Sequence, residues 1–322
     1  MSRLRPSGVE FRRIAEAGEF GKVAVMLGGR SSEREVSLMS GNAVLEALQR
    51  RGVDAHAFDP SQQRLGNLLA DSFDRVWIAL HGPGGEDGAV QGALEWIGLP
   101  YTGSGVLGSA IGMDKLRTKQ LAMANGVATP PFLVLRSADD CKRAVEELGL
   151  PLAVKPATQG SSVGMSRVER AEDIVAAWRS ASTLDPVVIA EPWIMGQELT
   201  VAILQGEALP SIRIETPRTF YDYQAKYFAE DTRYHVPSGL DAGAEQALQA
   251  AALAAFRAAG AQGWGRADFM LGADGVPMLL EINTVPGMTG HSLVPMAARA
   301  VGIDFDELVW RVLETSFARE TA

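Results

Sequence analysis

One stretch of the chain, GRADFMLGADGVPMLLEIN at 265–283, strongly constrains how its surroundings can fold. Two apolar-rich runs flank Asp274 and Gly275, and an Asp-Gly pair in this setting predicts a β-hairpin with a two-residue turn. Because side chains alternate along a strand, such a turn brings several polar and apolar residues onto one face. The opposed pairs on that face are Arg266 with Asn283, Asp268 with Glu281, and Met270 with Leu279.

The opposed carboxylates of Asp268 and Glu281 need an explanation. Directly opposed Cβ atoms in a hairpin lie about 5 Å apart, and like charges at that separation repel. A divalent cation with oxygen ligands would offset the repulsion. A solvated outer face would also tolerate two acids, although Met270 and Leu279 on the same face argue against it. The hairpin alone leaves both interpretations open.

The composition excludes several classes of protein. The chain has 322 residues, of which 47% are hydrophobic and 21% charged, as expected for a globular protein of two or three domains. Its net charge of -9 leaves no basic footprint for nucleic acid. The lone Cys141 excludes an internal disulfide and a cysteine zinc site, and it indicates a reducing cytoplasm. No stretch is long enough and apolar enough to cross a membrane, and the arginine-rich first 20 residues, to which we assign no role, do not form a secretory signal.

Alternating apolar runs and helical patterns predict an α/β (α+β) protein of three units. KVAVML at 22–27 is typical of a buried strand and is followed by a helix from Ser32 to about Arg50, so residues 1–114 predict a doubly wound α/β domain. Residues 115–198 predict a second unit with a glycine-rich loop. Residues 199–322 contain a tyrosine-rich loop, an alanine-rich helix and the hairpin. Polar motifs near the junctions of these units predict a cleft there.

Two glycine-rich motifs match known functional patterns, but the residues around each motif argue against the usual function. GSGVLG at 103–108 matches a dinucleotide-binding pattern, but no acid ends a strand about 20 residues later. GSSVG at 160–164 matches the serine-hydrolase elbow, but it follows a polar stretch and precedes a strand. It fits a phosphate-covering loop better, because glycine amides and serine hydroxyls donate to anions and Lys155 lies five residues earlier. A mobile surface loop is the alternative.

Two polar motifs follow strands of the first unit. In SSEREVS at 31–37, Ser32 and Glu35 fit a capping box, which leaves Glu33 at the end of a strand, where ligands bind open α/β sheets. Glu33 suits a cationic amine, although a helix-dipole acid would account for it almost as well. HGPGGEDG at 81–88 directs His81 into the same cleft, and a buried structural role is the alternative for this histidine.

Eight segments taken together, in chain order, resemble the D-alanine–D-alanine ligase family of ATP-grasp enzymes: GGRSSEREVSLMSG, ALHGPGGEDG, LPYTGSGV, MDKLRTK, VKPATQGSSVGMS, FYDYQAKY, GWGRADFM and EINTVPGMTGHSLVP. The match runs from about residue 21 to the C-terminus. It implies the ATP-grasp fold, a homodimer and a cytoplasmic ligation. In that reaction ATP phosphorylates one D-alanine, and the amine of a second attacks the acyl phosphate to give D-alanyl-D-alanine for peptidoglycan. An ATP-grasp ligase for another amino-acid or hydroxy-acid pair and a non-catalytic nucleotide-binding protein are the alternatives.

The resemblance also implies a role for each matching position. The implied ligands of two Mg²⁺ ions, with Mn²⁺ as a substitute, are Asp268, Glu281 and Asn283. The implied ATP-binding residues are Lys115, Lys155, Glu191, Trp193, Ile194, Glu198 and Lys226. The implied catalytic residues are Glu33, Ser161, Tyr227, Arg266 and Gly287. Arg266 and the Gly287 backbone would stabilise the oxyanion. Glu33 would bind the ammonium group of the first D-alanine and is linked through Ser161 to Tyr227. His81 and Ser292 match positions lining the amino-acid subsites.

Three positions depart from the family pattern. Pro192 stands where many relatives carry a lysine near the adenine, while Gln159 and Gly290 replace residues that are often polar or acidic. None of these changes affects the implied metal and oxyanion residues. The tyrosine at 227 favours a dipeptide product over D-alanyl-D-lactate.

Overall fold

The computed structural model describes residues 11–216 and 232–319. The strands are β1 Lys22–Met26, β2 Asp54–Phe58, β3 Arg75–Ile78, β4 Leu133–Leu135, β5 Leu152–Pro156, β6 Ser166–Val168, β7 Val188–Pro192, β8 Gln197–Leu204, β9 Glu207–Ala208, β10 Ile212–Glu215, β11 Arg233–His235, β12 Trp264–Leu271 and β13 Pro277–Asn283. The α-helices are α1 Arg34–Arg50, α2 Asn67–Ala70, α3 Ala89–Trp96, α4 Val106–Met113, α5 Lys115–Ala124, α6 Ala138–Leu148, α7 Ile174–Ser182, α8 Ala242–Ala258, α9 Leu293–Ala300 and α10 Phe305–Glu314. Short 3-10 helices occupy Ala17–Phe20, Ala171–Asp173 and Thr315–Arg319.

The first sheet is parallel, with strand order β2-β1-β3. The central strand β1 is almost wholly apolar and buried, as expected for a parallel strand covered on both faces. The helix that follows β1 begins at Arg34, and its N-cap is Glu33 without a side-chain capping bond. The predicted Ser32–Glu35 capping box is therefore wrong. A local turn replaces it, because the Glu33 amide donates to Ser31 Oγ at 3.2 Å.

The second sheet is antiparallel, with strand order β4-β7-β5-β6. Helices α6 and α7 cover one face through an apolar cluster that includes Cys141, Leu152 and Val188. Ser137 caps α6 by accepting a hydrogen bond from the Asp140 amide. With one face covered by helices, the residues at the ends of β5 and β7 are available to line a ligand cavity.

The third sheet is antiparallel in the order β11-β10-β8-β12-β13, with β9 paired to β8. Helix α8 packs against one face, where Leu199, Phe269 and Leu279 form part of its apolar core. On β8 and β12, alternation places the partners Glu198 and Met270, and Thr200 and Asp268, on the opposite face. Glu198, Asp268 and Met270 on that face line a cavity.

The hairpin of β12 and β13 differs from its predicted geometry. Its loop spans 272–276, closed by a bond from the Gly275 amide to the Gly272 carbonyl at 3.1 Å, so the two-residue Asp-Gly turn is wrong. Next to this loop Met270 pairs with Met278 rather than Leu279, but a register shift between Asp268 and Phe269 changes the pairing beyond it. The predicted pairs Asp268–Glu281 and Arg266–Asn283 are confirmed.

The register shift is a β-bulge, and it explains why the pairing differs from the prediction next to the turn but matches it at Asp268 and Glu281. One extra residue on β13 compensates for the longer turn, and the strand faces change at that point. Leu279 and Ile282 consequently both lie in the α8 core, whereas Leu280 and Glu281 both line a cavity. The expectation that Leu279 shares the acidic face is wrong.

Candidate active site

Two neighbouring cavities lie at the junction of the three sheets. The inner cavity has a volume of about 70 Å³, and the outer cavity about 470 Å³. Lys115 and Glu281 line both. The other residues assigned by resemblance divide between them: Glu33, His81, Ser161, Arg266, Asn283, Gly287 and Ser292 line the inner cavity, and Lys155, Glu191, Trp193, Ile194, Glu198 and Asp268 line the outer one. Lys226 and Tyr227 lie outside the described residues.

Glu33 presents a buried carboxylate to the inner cavity. Ser161, 128 residues away in the chain, donates its hydroxyl to Glu33 Oε2 at 3.0 Å. Two glycines leave room for the carboxylate, since a Cβ at Gly160 or Gly82 would lie 2.9 or 3.0 Å from Glu33 Oε1. Gly82 also has a φ of 70°, a conformation that favours glycine. A buried carboxylate set in this way can hold an ammonium group.

The loop that carries Glu33 is fixed by Asp59 at the end of β2. Asp59 accepts hydrogen bonds from Arg34 at 2.7 Å, the Gly29 amide at 3.1 Å and the Ser61 amide at 2.9 Å. Burial favours the neutral acid, but these donors outweigh it and hold the pKa of Asp59 far below its ordinary value. Asp59 therefore remains ionised and holds the glycine turn next to Glu33.

His81 lines the inner cavity and is also partnered within the protein. Its Nε2 lies 3.1 Å from Ser40 Oγ, and its Nδ1 lies 3.6 Å from Glu86. Ser40 Oγ accepts from the Met288 amide at 3.1 Å, which connects the histidine to the loop carrying Gly287. The binding and structural interpretations of His81 therefore both describe its position.

Arg266 and Asp268 form a buried pair across the floor of the site. The guanidinium donates Nε and Nη2 to the two carboxylate oxygens, each at 2.8 Å. Thr200 on the neighbouring strand donates to Asp268 Oδ1 at 2.6 Å. This bidentate arrangement fixes the orientation of both charged groups.

Lys115 bridges the two cavities. It begins α5, whose N-cap Asp114 accepts a hydrogen bond from the Arg117 amide. Its Nζ donates to the Gln159 carbonyl at 2.7 Å and lies 3.0 Å from Glu281 Oε2. In this arrangement Glu281 pairs with Lys115, and Asp268 pairs with Arg266. Repulsion between the opposed acids is thus already offset by side-chain cations, and by itself it does not require a metal ion.

The outer cavity combines polar and apolar walls. Lys155 forms a buried ion pair with Glu191 at one wall, and the indole of Trp193 forms part of another. The guanidinium of Arg167 lies over that indole, 5.1 Å from the ring centroid, which is within the separation of about 6 Å at which cation–π attraction acts. The side of the pocket formed by the third sheet carries Glu198 and Met270. A large apolar-walled cavity with a few fixed charges is the usual form of a small-molecule site.

Sequence reasoning did not identify several residues that organise the site. Glu86 lies in the quoted HGPGGEDG motif, and Asp59 follows a parallel strand, so a local signal for each was present. Ser40 and Lys119 lie inside helices, but both belong to segments that carry the family resemblance, GGRSSEREVSLMSG and MDKLRTK, so a signal was present for them as well. Thr200 becomes identifiable only once β8 is paired with β12.

Comparisons with known proteins identify the family of the chain. Residues 56–104 match the family model described as D-ala D-ala ligase N-terminus, and residues 121–314 match D-ala D-ala ligase C-terminus. The chain is 59% identical over 305 residues to the D-alanine–D-alanine ligase of Alkalilimnicola ehrlichii, covering 95% of this chain and 97% of that protein. The corresponding enzyme of Methylococcus capsulatus is 55% identical, with 95% and 99% covered.

Solved structures give the same result. The D-alanine–D-alanine ligase of Bacillus anthracis superimposes with a TM-score of 0.82 at 35% identity, covering 94% of this chain and 99% of that one. VanG, a D-Ala:D-Ser ligase of Enterococcus faecalis, gives 0.80 at 29% identity, covering 92% and 99%. By sequence and by fold, the chain belongs to the D-alanine–D-alanine ligase family and has the ATP-grasp fold.

Proposed function

We propose that this protein joins two D-alanine molecules at the expense of ATP, releasing ADP, phosphate and D-alanyl-D-alanine for peptidoglycan synthesis. The observation that carries the proposal is the pair of neighbouring cavities sharing Lys115 and Glu281. The inner one has a buried carboxylate for an ammonium group, and the outer one is large enough for a nucleotide base and sugar. A Bacillus anthracis ligase of the same fold has been solved in complex with ATP.

The chemistry assigns a task to each group. A carboxylate resists attack by an amine, so one of its oxygens must first become a leaving group, here a phosphate taken from ATP. Glu33 holds the ammonium group of the first D-alanine. Lys115 and Lys155 neutralise the phosphate oxygens of ATP. The second amine then attacks the acyl phosphate, while Arg266 and the Gly287 amide stabilise the oxyanion that forms. Phosphate leaves as the tetrahedral centre collapses.

Asp268, Glu281 and Asn283 would hold Mg²⁺ in this proposal. Their oxygen donors suit Mg²⁺, which takes few protein ligands and completes its shell with water and phosphate oxygens. No group of three or more His, Cys, Asp and Glu residues suited to a metal occurs at 11–216 or 232–319, and this set has only two carboxylates. Bound Mg²⁺ would neutralise charge on the transferred phosphate.

Replacing Glu281 by Gln tests the metal assignment. We expect turnover to fall by at least about 100-fold, since even groups that only orient metal ligands contribute 10- to 100-fold. Mn²⁺ binding, followed by electron paramagnetic resonance, should weaken while circular dichroism stays unchanged. Glu207→Gln on β9, outside both cavities, is the control. A Glu281→Gln enzyme with the wild-type dependence on Mg²⁺ would exclude Glu281 as a ligand.

Three further features belong to the proposal. The chain would divide into an N-terminal substrate-binding domain (1–114), a central domain (115–198) and a C-terminal domain (199–322). It would act in the cytoplasm and as a homodimer. In the described residues no helix is long and apolar enough to cross a bilayer.

The deciding experiment measures phosphate release from ATP and Mg²⁺ with each substrate, with products identified by mass. The substrates are D-alanine, L-alanine, and D-alanine paired with D-lactate or with D-serine, because a D-Ala:D-Ser ligase shares the fold. Phosphate with D-alanyl-D-alanine, and none from L-alanine, supports the proposal. Efficient formation of a mixed product would instead favour the alternative, an ATP-grasp ligase for another pair. ATP binding without any turnover would favour a non-catalytic protein.

A further inference from the structure

Lys119 is a fully buried lysine for which the proposed mechanism has no task. It lies on α5, one turn after Lys115, with 0% of its side chain exposed. Its Nζ donates to Thr129 Oγ1 at 2.7 Å and lies 2.7 Å from Glu191 Oε2. A buried charge of this kind is costly to desolvate, so it is retained only where partners offset the cost.

Lys119 and Lys155 share one carboxylate. Lys155 contacts Glu191 Oε1, and Lys119 lies at Oε2, so each ammonium has its own oxygen. The three side chains carry a net charge of +1, whereas Lys155 and Glu191 alone would carry none. Lys155 and Glu191 line the outer cavity and Lys119 does not. The additional positive charge is therefore supplied from behind the wall of a cavity to which we assign a polyanion.

We propose that Lys119 is a positioning residue for nucleotide binding: it neutralises Glu191 from the buried side and so leaves the charge of Lys155 for the phosphates of ATP. The inference deepens the proposed function and rests on its assignment of ATP to the outer cavity. Without Lys119, the carboxylate of Glu191 would be neutralised by Lys155 alone. The ammonium group of Lys155 would then be held at Glu191 and would be less available to the phosphates.

A second contact joins this cluster to the third sheet. Thr129 Oγ1, which accepts from Lys119, donates to the Leu279 carbonyl of β13 at 2.7 Å. A purely structural role for Lys119 would act through this chain of bonds, from α5 to the hairpin. The structural and electrostatic roles thus involve different partners, which makes them separable by mutation.

The titration of Lys119 supplies a signature of the electrostatic role. Burial lowers the pKa of Lys119 to about 8, with Glu191 opposing that shift and Lys155 adding to it. The charged groups facing it are Glu191 from β7, Lys155 from β5 and Lys115 from α5 itself. As pH rises through about 8, Lys119 loses its charge, and ATP affinity should fall with it.

The experiment measures the dissociation constant of ATP by calorimetry from pH 6.5 to 9.5, which requires no turnover, together with the KM values for ATP and D-alanine. We expect Lys119→Met to weaken ATP binding about tenfold at pH 7, the effect of one unit charge acting across several ångströms of protein. The KM for D-alanine should remain unchanged. Lys119→Arg should restore most of the affinity and remove the inflection near pH 8, because arginine stays charged.

Thr129→Val provides the matched control. It removes the hydroxyl between α5 and β13 but leaves the charge of Lys119 in place, so ATP affinity should stay within about twofold of wild type. Equal losses in Thr129→Val and Lys119→Met would show a structural role and overturn the proposal. Even if Lys119→Met fails to fold, a wild-type ATP affinity that is constant from pH 7 to 9 overturns it. Tight ATP binding without D-alanine ligation would reject the proposed function and leave this inference standing.

Discussion

At the scale of single residues, the loop at 160–164 contributes to both cavities through adjacent serines. Ser161 and Ser162 have φ values of 53° and 59°, a left-handed conformation that is uncommon for residues other than glycine. Ser161 lines the inner cavity and Ser162 the outer one. Such a conformation persists only where the surroundings stabilise it, and here the bond from Ser161 to Glu33 is one such contact.

We expect alanine at these two positions to affect different substrates. Ser161→Ala removes a hydrogen bond to a carboxylate, so the KM for D-alanine should rise about tenfold while that for ATP stays unchanged. Ser162→Ala should raise the KM for ATP instead. Initial rates of phosphate release, with each substrate varied in turn, measure both values. The two variants are each other's control, and the same change of KM in both would contradict the division of the loop.

At the scale of elements, the hairpin shows how turn and strand register compensate each other. The turn is longer than the sequence predicts, and the bulge next to Asp268 restores the pairing that the site requires. The turn itself depends on Gly275, whose φ is 73° and whose added Cβ would meet nothing within 4 Å. Its contribution is therefore conformational rather than steric.

Gly275→Ala should lower the free energy of unfolding by about 1 kcal/mol, the cost of a left-handed conformation for an L-residue. Urea unfolding measures this change, and turnover should stay at the wild-type level because the turn lies outside both cavities. Gly18, which also has open space around its Cβ but does not have a positive φ, is the control. Gly18→Ala should leave stability unchanged or raise it slightly. An equal effect of the two substitutions would contradict the conformational explanation.

At the scale of the whole molecule, the first described residues join the two ends of the chain. Glu314, 2% exposed at the end of α10, accepts hydrogen bonds from the Ile14 amide at 2.9 Å and from Gln205 at 2.8 Å. Arg13 adds an ion pair at 3.2 Å. Phe20 packs edge-on against Trp310, with ring centroids 4.8 Å apart. The segment before β1, to which the sequence assigned no role, thus attaches the first sheet to the C-terminal helix.

Glu314→Gln should destabilise the protein by about 1–3 kcal/mol, because buried donors lose their ionised partner. The urea midpoint should fall, whereas the KM values for both substrates should not change. Deleting residues 1–14 removes some of the same contacts, so the two changes together should destabilise less than their sum. Glu46→Gln, on the exposed face of α1, should have little effect. Full additivity would show that Glu314 does not act through the N-terminal segment.

The sequence determined the local structure and the family. Three predicted features depend on residues that are near one another in the chain. They are the apolar pattern of β1, the strand preceding the glycine-rich loop, and the pairing of Asp268 with Glu281. Alternation and turn preference act over that range, so such features can be predicted from the pattern. The order of eight motifs added the family, since few chains contain all of them.

Only the tertiary structure decided how charge is distributed in the site. Lys119 contacts Glu191, 72 positions later in the chain, and Ser161 contacts Glu33, 128 positions earlier. The bulge that separates Leu279 from Glu281 arises because the hairpin must satisfy its turn, the α8 core and the cavity at once. Sequence patterns report preferences along the chain. Burial and ion pairing depend on which distant segments meet, and that is settled when the whole chain packs.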